Sequence, residues 1–144
     1  MTLIHRPAVP EDAPRLAEIR AKAMRPSLEA LGRYDPERAR RRFLDGFVAS
    51  DTVVLLHRAE IAGFYVLRQR PGELYLDHLY LAEGARGLGL GRRVIGRLQQ
   101  EARAAGLPIR LMALKGSPAN AFYRACGFEP VGEEAFDILY RWQP

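Results

Sequence analysis

The chain has 144 residues, 48% hydrophobic and 27% charged, a globular mix that excludes a disordered chain and is long enough to bury a core. The formal net charge of +5, from 22 basic and 17 acidic residues, favours anionic partners without naming one. One cysteine, Cys126, excludes an internal disulfide, no apolar run reaches the roughly 18–20 residues of a membrane span, and MTLIHRPAVPEDA lacks the apolar middle of a signal peptide, so a cytoplasmic, single-domain protein over residues 1–144 with no membrane partner is expected.

In chain order, TLIHRPA (2–8) reads as a strand ended by Pro7 and Pro10. EDAPRLAEIRAKAM (11–24) places Leu16, Ile19 and Ala23 at helical spacing, with Glu11 and Asp12 at the positive end. Residues 25–47 read as two short helical pieces broken around Gly32 and Pro36, with Asp35 as N-cap and Pro36 at the first helical position. DTVVLLHR (51–58) and IAGFYVLRQR (61–70) form a hairpin about an Ala59-Glu60 turn. GELYLDHLYLAE (72–83) is a long central strand. A helix then carries Leu90, Val94, Ile95, Leu98 and Ala102 on one apolar stripe, with Arg93, Arg97 and Glu101 on another side, and Gly106-Leu107-Pro108 stops it. IRLMAL (109–114) is a buried strand, SPANAFYRACG (117–127) a short helix, and 128–131 and 136–142 are closing strands. The expected fold class is α/β (α+β): a mixed, largely antiparallel sheet of about six or seven strands flanked by about four helices, with a parallel crossover through the long helix.

The stretch ARGLGLGRRVIG (85–96) has glycines at alternate positions running into that helix. A dinucleotide fingerprint fails, because Arg92 or Val94 stands where a third glycine is needed. A phosphate-binding P-loop fails too, since Arg97-Leu98 replaces its lysine and hydroxyl. What remains is R-x-x-G-x-G: Arg86, Gly89 and Gly91. Backbone N–H groups from Gly87 to Arg92 can converge on an anion with the helix dipole behind them, which suits a pyrophosphate.

LYLAEGARGLGLGRRVI (79–95) and NAFYRACGF (120–128) together resemble the GNAT superfamily of N-acetyltransferases, as does the order of elements over nearly the whole chain. The resemblance implies acetyl-CoA as acyl donor and an amine as acceptor. It places main-chain groups of Leu79, Tyr80 and Leu81 along the pantetheine arm, where the central strand splays from its neighbour. It places Arg86, Gly87, Leu88, Gly89, Leu90, Gly91 and Arg92 around the pyrophosphate, Asn120 on the coenzyme arm and Tyr123 beside the thioester sulfur. Ser117 stands where relatives often carry asparagine; its hydroxyl can still donate and accept, at shorter reach.

A thioester is already activated, so transfer needs a neutral amine, an oxyanion donor and a proton for the leaving thiolate. Tyr123 is the candidate acid and a backbone N–H near Leu79 the oxyanion donor. A free alkyl amine has a pKa of about 10 and must lose a proton near neutral pH. Asp77 is the candidate base, either directed to the acceptor cleft or bonded to a neighbouring strand or arginine. His78 points the other way by strand alternation. The strand 109–114 offers no carboxylate, which leaves a water-relayed base or capture of the minor neutral amine open. Met24, Leu28, Tyr34, Phe64, Tyr65, Tyr75 and Asp77 are candidate cleft residues and equally candidate core. His5, His57, His78 and Cys126 have no metal-site spacing, so no metal is expected.

Two other classes compete. A coenzyme-A-binding sensor without catalysis would tolerate Phe at position 123. A basic nucleic-acid-binding module would use ERARRR (37–42), but that stretch lacks interleaved aromatics and has Glu37 and Asp45 nearby. A solvated helix face is the expectation, so no nucleic-acid partner is expected. A homodimer is open.

Overall fold

The computed structural model describes residues 2–144. The elements are β1 (Leu3–Pro7), α1 (Ala13–Ala30), α2 (Pro36–Leu44), β2 (Thr52–His57), β3 (Glu60–Arg70), β4 (Glu73–Leu81), α3 (Leu90–Ala105), β5 (Ile109–Leu114), α4 (Ala119–Ala125), β6 (Glu129–Glu133) and β7 (Asp137–Trp142). The seven strands form one sheet in the order β1-β2-β3-β4-β5-β7-β6. β4 and β5 are parallel, with Leu74 opposite Ile109 and Tyr75 opposite Arg110, while β1–β2, β2–β3, β5–β7 and β6–β7 are antiparallel. This is the mixed, largely antiparallel sheet with four helices that the element pattern implies. Among the described residues no helix is long and apolar enough to cross a membrane.

The chain divides into two compact units, Met1–Val66 with His78–Leu90, and Leu67–Asp77 with Gly91–Pro144. In the first, Leu16, Phe43, Val54 and Phe64 are almost wholly buried and pack in one cluster. Each such side chain contributes about 1.5–3 kcal/mol by leaving water. The Phe43 ring meets Phe64 and His78 edge-on, at centroid distances of 5.0 and 5.5 Å.

Two expectations are corrected here. α1 does not end at residue 24 but runs through Pro26 to Ala30, absorbing the first of the two short pieces. Pro26 removes one internal N–H, but the last turn is tied by Arg25 to Glu29 at 2.9 Å and closed by Gly32. Gly32 N–H donates to Glu29 O and Arg33 N–H to Leu28 O, the paired bonds of a helix stop in which glycine takes a left-handed conformation. The β2–β3 turn is Arg58-Ala59, not Ala59-Glu60: both have positive φ, 54° and 64°, and Glu60 already pairs with His57. Two left-handed central residues match the twist of a two-residue hairpin. Of the two alternatives left open for Phe64 and Tyr65, cleft or core, both side chains are core, at 0% and 5% exposure. α2 begins as expected, Asp35 Oδ1 accepting from the N–H groups of Glu37 and Arg38.

In the second unit, Ile109, Leu111 and Ala113 of β5 are buried while Arg110 and Met112 are not, the alternation of a strand with one covered face. β7 brings in Tyr140 and Trp142, both buried. Val94, Leu98 and Ala102 of the α3 stripe are fully buried.

Candidate functional site

The first unit holds the end of β4 and the glycine loop, and a bulge in β3 adjoins the end of β4. Leu55 pairs with Gly63 and Leu56 with Ile61, leaving Ala62 as the extra residue. Ala62 O accepts from Ala82 N–H at 2.8 Å, which fixes where β4 ends. Gly63 lies so close to β4 that a Cβ there would stand 2.2 Å from Tyr80 O. The role of Gly63 escaped the sequence reading. A lone glycine inside a β-rich run was the available signal, since it marks a bulge or a close backbone approach.

Beyond Leu81 a 3-10 turn, Glu83–Ala85, leads into the glycines. Gly87 and Gly89 have φ of 77° and 75°, a left-handed conformation that favours glycine, and the space where their Cβ atoms would stand holds no atom within 4 Å. The loop is thus shaped for backbone approach, and α3 starts immediately after it, at Leu90. The Leu90 side chain is buried against Ala62 and Ala85, so only its main chain can serve a ligand. Leu88 is exposed, and Arg86 reaches back to donate from Nε to Leu81 O at 3.4 Å. Leu81 and Arg86 also line a cavity of about 540 Å³ beside α1, together with Arg15, Lys22, Glu60 and Glu83. Leu79 and Tyr80 are half-buried, and Tyr80 lies 5.7 Å from the rings of Phe64 and His78.

The second unit holds Asp77, Gly91, Arg92, Ser117, Asn120 and Tyr123. Asp77 Oδ2 accepts from Arg68 Nε at 3.0 Å, and both side chains are largely buried. The arginine-bonded arrangement is therefore the one present. Asn120 is committed to its own loop. Its Nδ2 donates to Leu114 O at 2.8 Å and to Ser117 O and Oγ at 3.0 and 3.2 Å, while its Oδ1 accepts from Tyr140 Oη at 2.8 Å. Both ends of the amide are thus used in shaping the turn between β5 and α4. Ser117 belongs to the same network.

Tyr123 is 8% exposed, and its ring stands edge-on to Phe122 and Phe128. α4 is closed by the bonds of Gly127 N–H to Arg124 O and Phe128 N–H to Tyr123 O. Gln99 on α3 donates to Cys126 O at 2.7 Å, tying the two helices together. Burial pushes the Cys126 thiol above its ordinary pKa, against a smaller opposing pull from Arg92, so this thiol is a poor nucleophile. Arg92 is exposed.

The family model for the acetyltransferase (GNAT) family matches residues 14–128. A 5-NmdU N-acetyltransferase of Pseudomonas phage PaMx11 is 35% identical over 92 residues, covering 60% of this chain; the chain spans about 65% of that relative's length. Among solved structures, the PaiA N-acetyltransferase of Thermoplasma acidophilum in complex with coenzyme A superposes with a TM-score of 0.77 at 16% identity, over 100% of both chains. An acetyltransferase from Thermus thermophilus gives a TM-score of 0.73 at 25% identity, over 100% of this chain and 98% of that one. With a family match that takes in α1, the glycine loop and the NAFYRACGF helix, and a sheet shared with these structures, the chain belongs to the GNAT family of acetyltransferases.

Proposed function

We propose that this chain transfers an acetyl group from acetyl-CoA to an amine by direct attack on the thioester. The observation that carries the reading is the glycine loop. Two left-handed glycines with open space above them precede a 16-residue helix, in a chain of an acetyltransferase family. Backbone N–H groups between Gly87 and Arg92 hold the pyrophosphate at the positive end of α3, with Arg86 beside them. Main-chain groups of Leu79 to Leu81 align the pantetheine arm, and the β3 bulge holds that strand end in place.

In this reading the amine nitrogen attacks the thioester carbonyl, a backbone N–H near Leu79 stabilises the oxyanion, and the carbon–sulfur bond breaks. Tyr123 gives its phenolic proton to the departing thiolate. The amine proton passes to water, because the Asp77 carboxylate is taken up by Arg68. Asn120 acts by positioning the turn that precedes Tyr123, and Ser117 acts with it. The acceptor named for the phage relative, 5-NmdU, belongs in the panel of amines to be tried.

The test is release of coenzyme A thiol from acetyl-CoA, followed with a thiol reagent over an amine panel. Wild type should turn over at least one acceptor, and Tyr123→Phe should lower kcat by about 10²-fold with little change in acetyl-CoA affinity. Wild-type kcat in Tyr123→Phe would remove the acid role. Coenzyme binding with no turnover of any amine would favour a sensor.

A further inference from the structure

Of the 22 basic residues only two are lysines, Lys22 and Lys115, so the chain offers very few side-chain amines of its own. The two stand in different settings. Lys115 Nζ lies 3.6 Å from Glu133 Oε2. Lys22 is exposed on α1, and no hydrogen bond or ion pair engages its amine among the described residues.

Lys22 also lines the cavity of about 540 Å³ between α1, the start of β3 and the end of β4. Leu81 and Arg86 line the same cavity, and the coenzyme arm runs along these residues in the acetyl-transfer reading. The core fixes the level of α1 at this point. Ile19, one turn before Lys22, is 6% exposed and belongs to the cluster against which Tyr80 packs. The Arg20 guanidinium stands 5.8 Å from the centroid of the Tyr80 ring. The turn that carries Lys22 therefore lies beside Tyr80 and Leu81, and a flexible four-carbon stem carries the amine into the cavity.

We propose that Lys22 is a self-acetylation site: with acetyl-CoA bound and no other acceptor present, the protein transfers the acetyl group to its own Lys22 Nζ. The proposal rests on the acetyl-transfer reading and names one amine that the same coenzyme can reach. The Lys22 ammonium first loses a proton to solvent, and Glu60 and Glu83 on the same cavity can relay it. The neutral nitrogen then attacks the thioester carbonyl carbon. A carbon–nitrogen bond forms and the carbon–sulfur bond breaks. The proton released from nitrogen ends on the departing thiolate, so the products are acetyl-lysine and coenzyme A thiol. Attachment to the chain makes the attack unimolecular, which raises the effective concentration of this amine above that of a free one.

The experiment incubates the full chain with acetyl-CoA and no added amine. Intact mass is followed over time, and peptide mapping locates the acetyl group. Lys22 should gain one acetyl group at a rate that saturates with acetyl-CoA and is unchanged when the protein is diluted, while Lys115 stays unmodified. Lys22→Arg keeps the charge and should abolish the gain, with circular dichroism confirming the fold. A short acetyl thioester without the nucleotide, S-acetyl-N-acetylcysteamine, should modify Lys22 about tenfold or more slowly at the same concentration. No acetyl group on Lys22, equal modification of Lys22 and Lys115, a rate that rises linearly with acetyl-CoA, or equal modification by the short thioester overturns the proposal. So does a rate that falls in proportion to dilution, which would mean transfer between copies. The amine panel keeps the two readings apart. Turnover of a free amine with Lys22 unmodified ends this proposal alone, whereas coenzyme binding with neither an amine nor Lys22 acetylated ends acetyl transfer as well.

Discussion

Asn120 shows how a side chain singled out by a motif can be engaged in shaping its own loop. Sequence places it in the family's stretch, but its amide is occupied by Leu114, Ser117 and Tyr140. Asn120→Ala would strip the acceptor from the largely buried Tyr140 hydroxyl and leave Leu114 O without its bond. It should lower stability by about 2–3 kcal/mol in urea unfolding. Gly63 is the opposite case, a residue without chemistry that fixes where chemistry happens. A Cβ at 2.2 Å from Tyr80 O must push β3 and β4 apart. Gly63→Ala should therefore cost about 3 kcal/mol or more by the same measurement. Residue identity alone signalled the glycine loop, because positive φ selects for glycine. It could not settle Asp77. Period two gives the face on which a carboxylate lies, whereas its partner, Arg68, sits on another strand, and registers between strands are tertiary facts.

At the scale of elements, the strongly periodic segments were legible. β5 and the buried stripe of α3 stand where periodicity puts them, and Asp35-Pro36 starts α2 as capping chemistry requires. The misses lie where local signals compete. The sequence reading ends the first helix at Met24, but an ion pair and a glycine cap carry α1 six residues further, through Pro26 to Ala30. Arg58 and Ala59 are unusual turn residues, and cross-strand pairing of His57 with Glu60 overrides their preference for negative φ. The joint between β1 and α1 has an acid-sensitive clamp. Arg6 donates to both oxygens of Asp12, and Val9 N–H donates to Oδ2. The hydrogen-bonded guanidinium and then the backbone N–H hold the Asp12 carboxyl below the usual aspartate range. A depressed carboxylate pKa stabilises the fold above the unfolded value of about 3.9, and that share is lost as pH falls through the folded value. Wild type should thus lose stability relative to Asp12→Asn as the pH is lowered from about 5 toward 2. Parallel pH curves for the two proteins, by thermal melting, would show that the clamp contributes nothing.

For the whole molecule, the succession of elements and the family follow from pattern and motif, and the acceptor does not. The glycine loop and the NAFYRACGF helix lie within the stretch that matches the family model, so they read the same way across the family. The cavity between α1 and α2 is lined by residues up to 22 positions apart, Arg20 to Arg42. No local pattern records that meeting.

The central claim is that the loop before α3 holds the coenzyme. Its most direct test is calorimetric titration of acetyl-CoA into wild type and into Gly89→Val, with circular dichroism confirming that both are folded. Saturable one-to-one binding to wild type, weakened about tenfold or more in Gly89→Val, is the expected result, a loss of roughly 1.4 kcal/mol or more. No saturable binding to wild type, or the same affinity in the folded variant, would contradict it.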